Sequence, residues 1–132
     1  MLLVNAKAGP SRIHGMGLIA QEFIPQGTEI WHFMPGFDVI IPEKFLEHLS
    51  LVARKQVFYW AYFNVATRTF VLSSDDDRFT NHSDEPNTRH VGDSVVAQCD
   101  IHSGVEITSD YTQLVMINFP KLSDHGVSLG DS

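Results

Sequence analysis

The chain has 132 residues, 43% of them hydrophobic and 19% charged, a composition that supports one domain with a real core and argues against disorder. Its formal net charge of −7 argues against nucleic-acid binding, which needs a basic surface, and suits either a cationic partner or ordinary solubility. Cys99 is the only cysteine, so neither an intrachain disulfide nor a cysteine-based zinc site is expected. No run approaches 18 apolar residues, so no membrane span is expected. The opening residues lack the long apolar stretch and small-residue cleavage site of a signal peptide, and a cytoplasmic protein is the expectation.

Arg12 to Trp31 reads as strand, turn, strand, punctuated by Gly15 and Gly17 and then by Pro25-Gln26-Gly27. Pro35-Gly36 breaks the chain again before the short apolar run Phe37 to Ile41. Pro42 to Asn64 is the one stretch with helical character: Pro42 suits a first helical position, and Phe45, Leu46, Leu49, Val52 and Ala53 recur at helical spacing. Within it, Gln56 to Phe63 is so aromatic that helix and strand are hard to separate. Phe70-Val71-Leu72 is a short strand candidate, and Asp75-Asp76-Asp77 reads as a solvated turn or a lure for a basic peptide. Arg78 to His90 (RFTNHSDEPNTRH) is dense in turn formers and reads locally as a polar loop, with Glu85-Pro86-Asn87 as its tight turn. Val95 to Cys99 and Val105 to Thr108 are further strand candidates, parted by a turn at Gly104. From Lys121 onward the chain is polar and glycine-containing, as in a frayed tail. The sum is a mostly β (α+β) domain over residues 1–120, with a helical insert at about 42–64 and a flexible tail at 121–132.

Three patches carry chemistry. His14 to Ala20 holds two glycines around Met16, which lets a backbone approach a ligand closely. It is not the dinucleotide fingerprint, because the third glycine and the acidic partner are absent. The second patch is Asn81-His82-Ser83 with Pro86-Asn87, and the third runs from Gly104 to Tyr111. Gly15-Met16-Gly17, then RF-x-NHS-x-x-PN, then G-x-E-I-T-x-D-Y, in that order over roughly residues 8–112, resemble the SET domain. Pro25 to Ile30 also resembles the strand that follows the first glycine loop of that family.

The resemblance implies a fold of several small sheets whose C-terminal segment threads a loop in a pseudoknot, laying the Asn-His-Ser and Asp-Tyr stretches side by side. It implies an S-adenosylmethionine-dependent protein lysine N-methyltransferase, with a lysine-containing protein or peptide as substrate. The histidines, His82, His90 and His102 among them, are scattered without a supporting carboxylate motif, so no metal is expected. By resemblance, Gly15, Met16 and Gly17 offer backbone groups to the cofactor, and Asn81 bonds its amino-acid end. His82 offers backbone atoms to the adenine, and its imidazole either stays uninvolved or fixes the pseudoknot. Tyr111, grouped with the cofactor and catalytic residues, orients and polarises the lysine amine; a tyrosine of ordinary pKa is a poor base. Tyr59 and Tyr62 either wall the lysine channel, where rings hold a methylated ammonium by cation–π contact, or pack in the core.

The sequence also departs from the family. Asp84 stands where many members have cysteine, and no cysteine-rich zinc module follows Tyr111 to close the channel. Leu114 to Phe119 could fold over it, or a second copy could supply the lid in a homodimer. Ser109 stands where many relatives have a methyl-limiting aromatic, leaving room for higher methylation states. The missing module keeps a non-catalytic SET-like module that binds a peptide or protein partner as the alternative.

Overall fold

The structure is a computed structural model, and it describes residues 1–110. Three small sheets and one short helix make up the described part. The first sheet holds β1 (Ala6–Pro10), β2 (Met16–Ala20), β7 (Asn81–His82) and β10 (Glu106–Ser109) in the order β1-β2-β10-β7. The second holds β3 (Glu29–His32), β8 (Thr88–Val91) and β9 (Ser94–Ala97) in the order β3-β9-β8. The third holds β4 (Val39–Pro42), β5 (Tyr62–Asn64) and β6 (Thr69–Leu72) in the order β4-β6-β5. The mostly β reading of the sequence holds.

Two apolar clusters fix these sheets. One gathers Leu18, Ile24, Ile30, Trp31, Ile101 and Ile107, each at most 2% exposed. The other gathers Val57 and Phe58 of the helix with Leu46, Phe63 and Phe70. Tyr62 packs against both, with its ring edge-on to Trp31 at 6.4 Å, so it sits where the two clusters meet.

The helical stretch divides in three. Glu43–His48 is a 3₁₀ turn, and the α-helix α1 covers only Leu51–Trp60. Ser50 starts α1, its Oγ accepting from the Ala53 N–H at 3.1 Å, which satisfies one of the helix's free donors. Pro42 ends β4 and precedes the 3₁₀ turn, so it is not a first position of α1. Tyr62–Asn64 leaves the helix to pair with β6, where Phe63 meets Phe70 at 4.7 Å. That aromatic contact on a sheet outweighs the helical spacing that precedes it.

The acidic triplet is not a solvated turn. It opens a 3₁₀ turn, Asp76–Phe79, and its carboxylates face the protein. Asp75 accepts from the Leu2 N–H at 2.8 Å and Asp76 from the Ala8 N–H at 2.9 Å, while Asp77 accepts from the Ser73 hydroxyl at 2.8 Å. Leu2 and Ala8 belong to the N-terminal segment that carries β1, so the triplet pins that segment from 68 or more residues away in sequence.

Candidate functional site

The loop Arg78 to His90 is more ordered than its turn formers suggest. β7 lies parallel to β10, with Asn81 opposite Thr108 and His82 opposite Ser109, and the Ser83 N–H donates to the Ser109 carbonyl at 2.9 Å. Asn87 extends the same seam with its side chain. Its Oδ1 accepts from the Thr108 N–H at 2.9 Å, and its Nδ2 donates to the Glu106 carbonyl at 2.8 Å. An asparagine can offer a donor and an acceptor together, so it stands in for a strand where the chain turns. The Asn-His-Ser stretch and the Thr-Ser-Asp stretch therefore lie side by side. The continuation to Tyr111, and with it the threaded crossing and the proposed catalytic hydroxyl, lies outside the described residues, as do the lid candidates Leu114 to Phe119 and the tail.

The glycine loop is bound to this seam by a buried-edge polar network. Ser11 Oγ accepts from the Ile13 and His14 N–H groups at 2.9 and 3.2 Å and donates to Glu106 Oε1 at 2.7 Å. Gly15 takes φ +48°, a left-handed conformation that glycine adopts freely, and its carbonyl accepts from the Ser11 N–H at 2.8 Å. Asn81 Nδ2 points into the same knot, within 3.0–3.1 Å of the Met16 and His14 carbonyls, Ser11 Oγ and Glu106 Oε2. All of these acceptors face the amide nitrogen, which fixes the amide's orientation. Its Oδ1 makes no hydrogen bond among the described residues. Gly17 passes under the Glu106 carboxylate, and a Cβ there would lie 2.7 Å from Glu106 Cδ.

His82 carries its imidazole between two carboxylates, with Nε2 3.0 Å from Asp84 Oδ1 and Nδ1 3.7 Å from Asp110 Oδ1. Asp84 thus meets its own neighbour's ring, and the histidine ties the β7 turn to the end of β10.

A small open cleft lies beside this seam. Tyr59 and Tyr62 line it, and so does Ser109, far from them in the sequence. Ser109 is 5% exposed, and its hydroxyl lies 3.1 Å from that of Thr88. The Tyr62 phenol is pushed well above its ordinary range, first by burial and then by the charges of Asp77, Asp38 and Asp93. It is a neutral hydroxyl at any physiological pH. Tyr59 is exposed at the rim, with its hydroxyl 3.5 Å from His14 Nε2, so the glycine loop and the cleft touch there.

Several lining residues belong to none of the three motifs. Trp31, Trp60, Asp77 and His90 come to the cleft only through folding, and Arg78, the first residue of the RF-x-NHS motif, joins them. Arg78 sets its guanidinium over the rings of Trp60 at 5.6 Å and Phe79 at 5.4 Å. Asp77 is raised to about 6, chiefly by burial and then by Asp75 and Asp38, against the opposing bond from Ser73 and the Met1 ammonium. His90 is lowered to about 4 by burial, with Asp110 opposing. Ser11 and Glu106 are the other residues whose roles the sequence did not assign, although Glu106 lies inside the G-x-E-I-T-x-D-Y motif.

Small antiparallel sheets, with a late strand laid parallel against an Asn-His-Ser segment and a glycine loop tied beneath it, define the class of fold to which SET domains belong. Residues 15–112 match the SET domain, and the chain belongs to that family. Among solved structures it resembles a candidate histone methyltransferase of Plasmodium falciparum, at 22% identity and TM-score 0.59, over 83% of this chain and 95% of that one. It also resembles the Neurospora SET domain protein DIM-5, a histone lysine methyltransferase, at 20% identity and TM-score 0.60, over 87% of this chain and 55% of that one. A chain of the Chaetomium thermophilum Polycomb Repressive Complex 2 is similar at 18% identity and TM-score 0.60, over 87% of this chain and 16% of that one. At these identities the likeness is one of fold. No curated protein matches the sequence.

Proposed function

We propose that the chain is an S-adenosylmethionine-dependent protein lysine N-methyltransferase. The observation that carries the reading is the junction of the two half-sites, where the glycine loop tied by Asn81 touches the aromatic cleft at His14 and Tyr59. The cofactor's α-ammonium is a donor and needs acceptors; Asn81 Oδ1, which makes no hydrogen bond among the described residues, is one. Space beside Gly15 is open, since a Cβ there would meet nothing within 4 Å. The residues fit the cofactor. When bound, it supplies a methyl group on a sulfonium for transfer to an amine.

The protein's own part is to present a neutral amine. A free lysine with pKa about 10.4 costs roughly 4.6 kcal/mol to deprotonate at pH 7. A cleft walled by Trp31, Tyr59 and Tyr62 strips water from the side chain, which lowers that cost by disfavouring the charged form. Tyr62, a neutral phenol, lines the cleft without adding a charge, and Ser109 keeps the wall small. Tyr111, two residues past Ser109, is the hydroxyl we assign to orient the amine.

The test is thermal unfolding with and without saturating S-adenosylmethionine and S-adenosylhomocysteine, followed by methyl transfer to a lysine-rich protein. Ligand at about 100 times its dissociation constant adds about 2.7 kcal/mol, a rise of several degrees for a chain of this size. Methyl transfer that Tyr111→Phe lowers at least tenfold completes the reading. A second reading, a SET-like module that binds a peptide without catalysis, is favoured by one observation. The Asn81 amide nitrogen is already engaged by the protein. Absence of any ligand-induced shift selects it.

A further inference from the structure

The aromatic cleft contains a carboxylate that the methyl-transfer reading does not use. Asp77 lines the same wall as Tyr62, at the start of the 3₁₀ turn that follows the third sheet. Its Oδ2 accepts from Ser73 at 2.8 Å, a neutral partner, and Oδ1 lies 3.4 Å from the Thr80 hydroxyl. No cation is within ion-pair distance of it among the described residues. Arg78, the one arginine or lysine in the lining, is turned onto the faces of Trp60 and Phe79, and the Met1 ammonium is paired with Asp38.

We propose that Asp77 is the specificity residue of the cleft, giving it preference for a cationic alkylammonium side chain over a neutral one of the same shape. Two physical terms act together. The rings of Trp31, Tyr59, Trp60 and Tyr62 attract a cation through their faces, and do so more strongly when water is excluded. The Asp77 carboxylate supplies an opposite charge at a site where an unpaired ion is costly, so a neutral occupant leaves it uncompensated. A neutral Tyr62 adds a hydroxyl without adding a competing charge. The inference rests on the reading of the cleft as a lysine channel, and it adds a consequence. Asp77 favours the ammonium form and the equally cationic methylated forms, so it strengthens binding of substrate and product, and by the same attraction it opposes the deprotonation that the desolvating walls favour.

Both tryptophans of the chain, Trp31 and Trp60, line the cleft, so their fluorescence reports an occupant directly. The experiment titrates the full chain with n-butylammonium and with n-butanol, its neutral counterpart of the same length, at constant ionic strength and pH 7.5. The wild type is expected to bind n-butylammonium about tenfold tighter, as for a partly desolvated charge pair. Asp77→Asn keeps an acceptor for Ser73 and is expected to bring the two ligands within about twofold. Equal affinities in the wild type, or an undiminished preference in a folded Asp77→Asn, overturns the proposal. If that variant does not fold, the wild type at pH 5.0 decides. Asp77, raised to about 6, is then mostly neutral, His90, lowered to about 4, remains mostly uncharged, and n-butylammonium keeps its charge. The other ionic groups about Asp77 are Asp75, Asp38, Arg78 and the Met1 ammonium, and the phenol of Tyr62 stays neutral. A preference unchanged at pH 5.0 overturns the proposal as well. None of these readouts needs the cofactor, so loss of the Asp77 effect with an intact S-adenosylmethionine shift sinks this inference alone. The reverse pattern sinks the transferase reading alone.

Discussion

Gly17 lies directly beneath the Glu106 carboxylate, and these two residues, 89 positions apart, decide whether the glycine loop can reach the Asn-His-Ser seam. A Cβ on Gly17 would come within 2.7 Å of Glu106 Cδ and 3.1 Å of Ser11 Cβ, so Gly17→Ala must move the group that holds Ser11 and Asn81. Overpacking of this kind costs about 1–3 kcal/mol. Gly15→Ala differs: it meets no atom within 4 Å and suffers only from φ +48°, a cost of about 1 kcal/mol. Thermal unfolding of both variants checks the contrast. We expect the larger loss in Gly17→Ala, together with a weakened S-adenosylmethionine shift.

Asn81 holds the loop as a donor, so the nearly isosteric Asn81→Asp tests charge rather than shape. It sets a second carboxylate 3.0 Å from Glu106 and against the carbonyls of His14 and Met16. The expected loss is about 2 kcal/mol at pH 8, from the lost donor and the like charge beside Glu106. The loss should shrink at pH 5 as one proton is shared between them. Unfolding in urea at the two pH values measures it. An equal loss at both would mean that Glu106 does not feel position 81.

The acidic triplet should behave as a structural clamp. Asp76→Ala removes the acceptor of the half-buried Ala8 N–H, and Asp75→Ala that of Leu2. Losing a charged acceptor of this kind costs about 1.5–3 kcal/mol, which lowers the melting temperature by several degrees. Hydrogen exchange at Ala8 should accelerate in Asp76→Ala while the amides of β6 stay protected. Unchanged exchange at Ala8 would return the triplet to the role of a solvated turn.

Asp77 and His90 pull the pH dependence of stability in opposite directions. Asp77 is raised to about 6 in the folded chain, above the ordinary aspartate range near 3.9, so between those values the folded state binds the extra proton. Its contribution is present below about pH 4 and is lost as pH rises through 6. His90 is lowered to about 4 from about 6.5, so there the unfolded state binds the extra proton. Its contribution is present above about pH 6.5 and is lost as pH falls toward 4. Between pH 4.5 and 6 the two slopes offset each other. Melting curves across this window should fall more steeply on acidification in Asp77→Asn than in the wild type. In His90→Gln they should fall less, or rise.

The site was legible where a function needs a particular residue at a particular backbone position. Asn87, with its paired donor and acceptor, Asn81, with its amide donor, and Gly15, with its left-handed φ, each leave a mark in the string of residues. The strand candidates at Phe70 to Leu72, Val95 to Cys99 and Val105 to Thr108 were legible for a similar reason, since β-branched and apolar runs between turns bury well on sheets. β1, with the sequence AKAGP, gave no such signal, because its hold comes from pairing with β2 and from Asp76 far along the chain. The end of α1 was equally hidden. The helical spacing runs on toward Asn64, and only contact between Phe63 and Phe70 turns Tyr62–Asn64 into strand.

By itself, then, the sequence determined the mostly β class, the order of the three motifs and the glycine and asparagine positions that the candidate site draws on, because those depend on local backbone geometry and side-chain chemistry. Tertiary structure alone decided the rest. It placed Glu106 over Gly17, aimed three aspartates at the protein instead of at water, and brought Trp31, Trp60 and Asp77 to one cleft wall with Tyr62. These are relations between residues tens of positions apart, and their energies come from burial and hydrogen bonds that exist only after the sheets have packed.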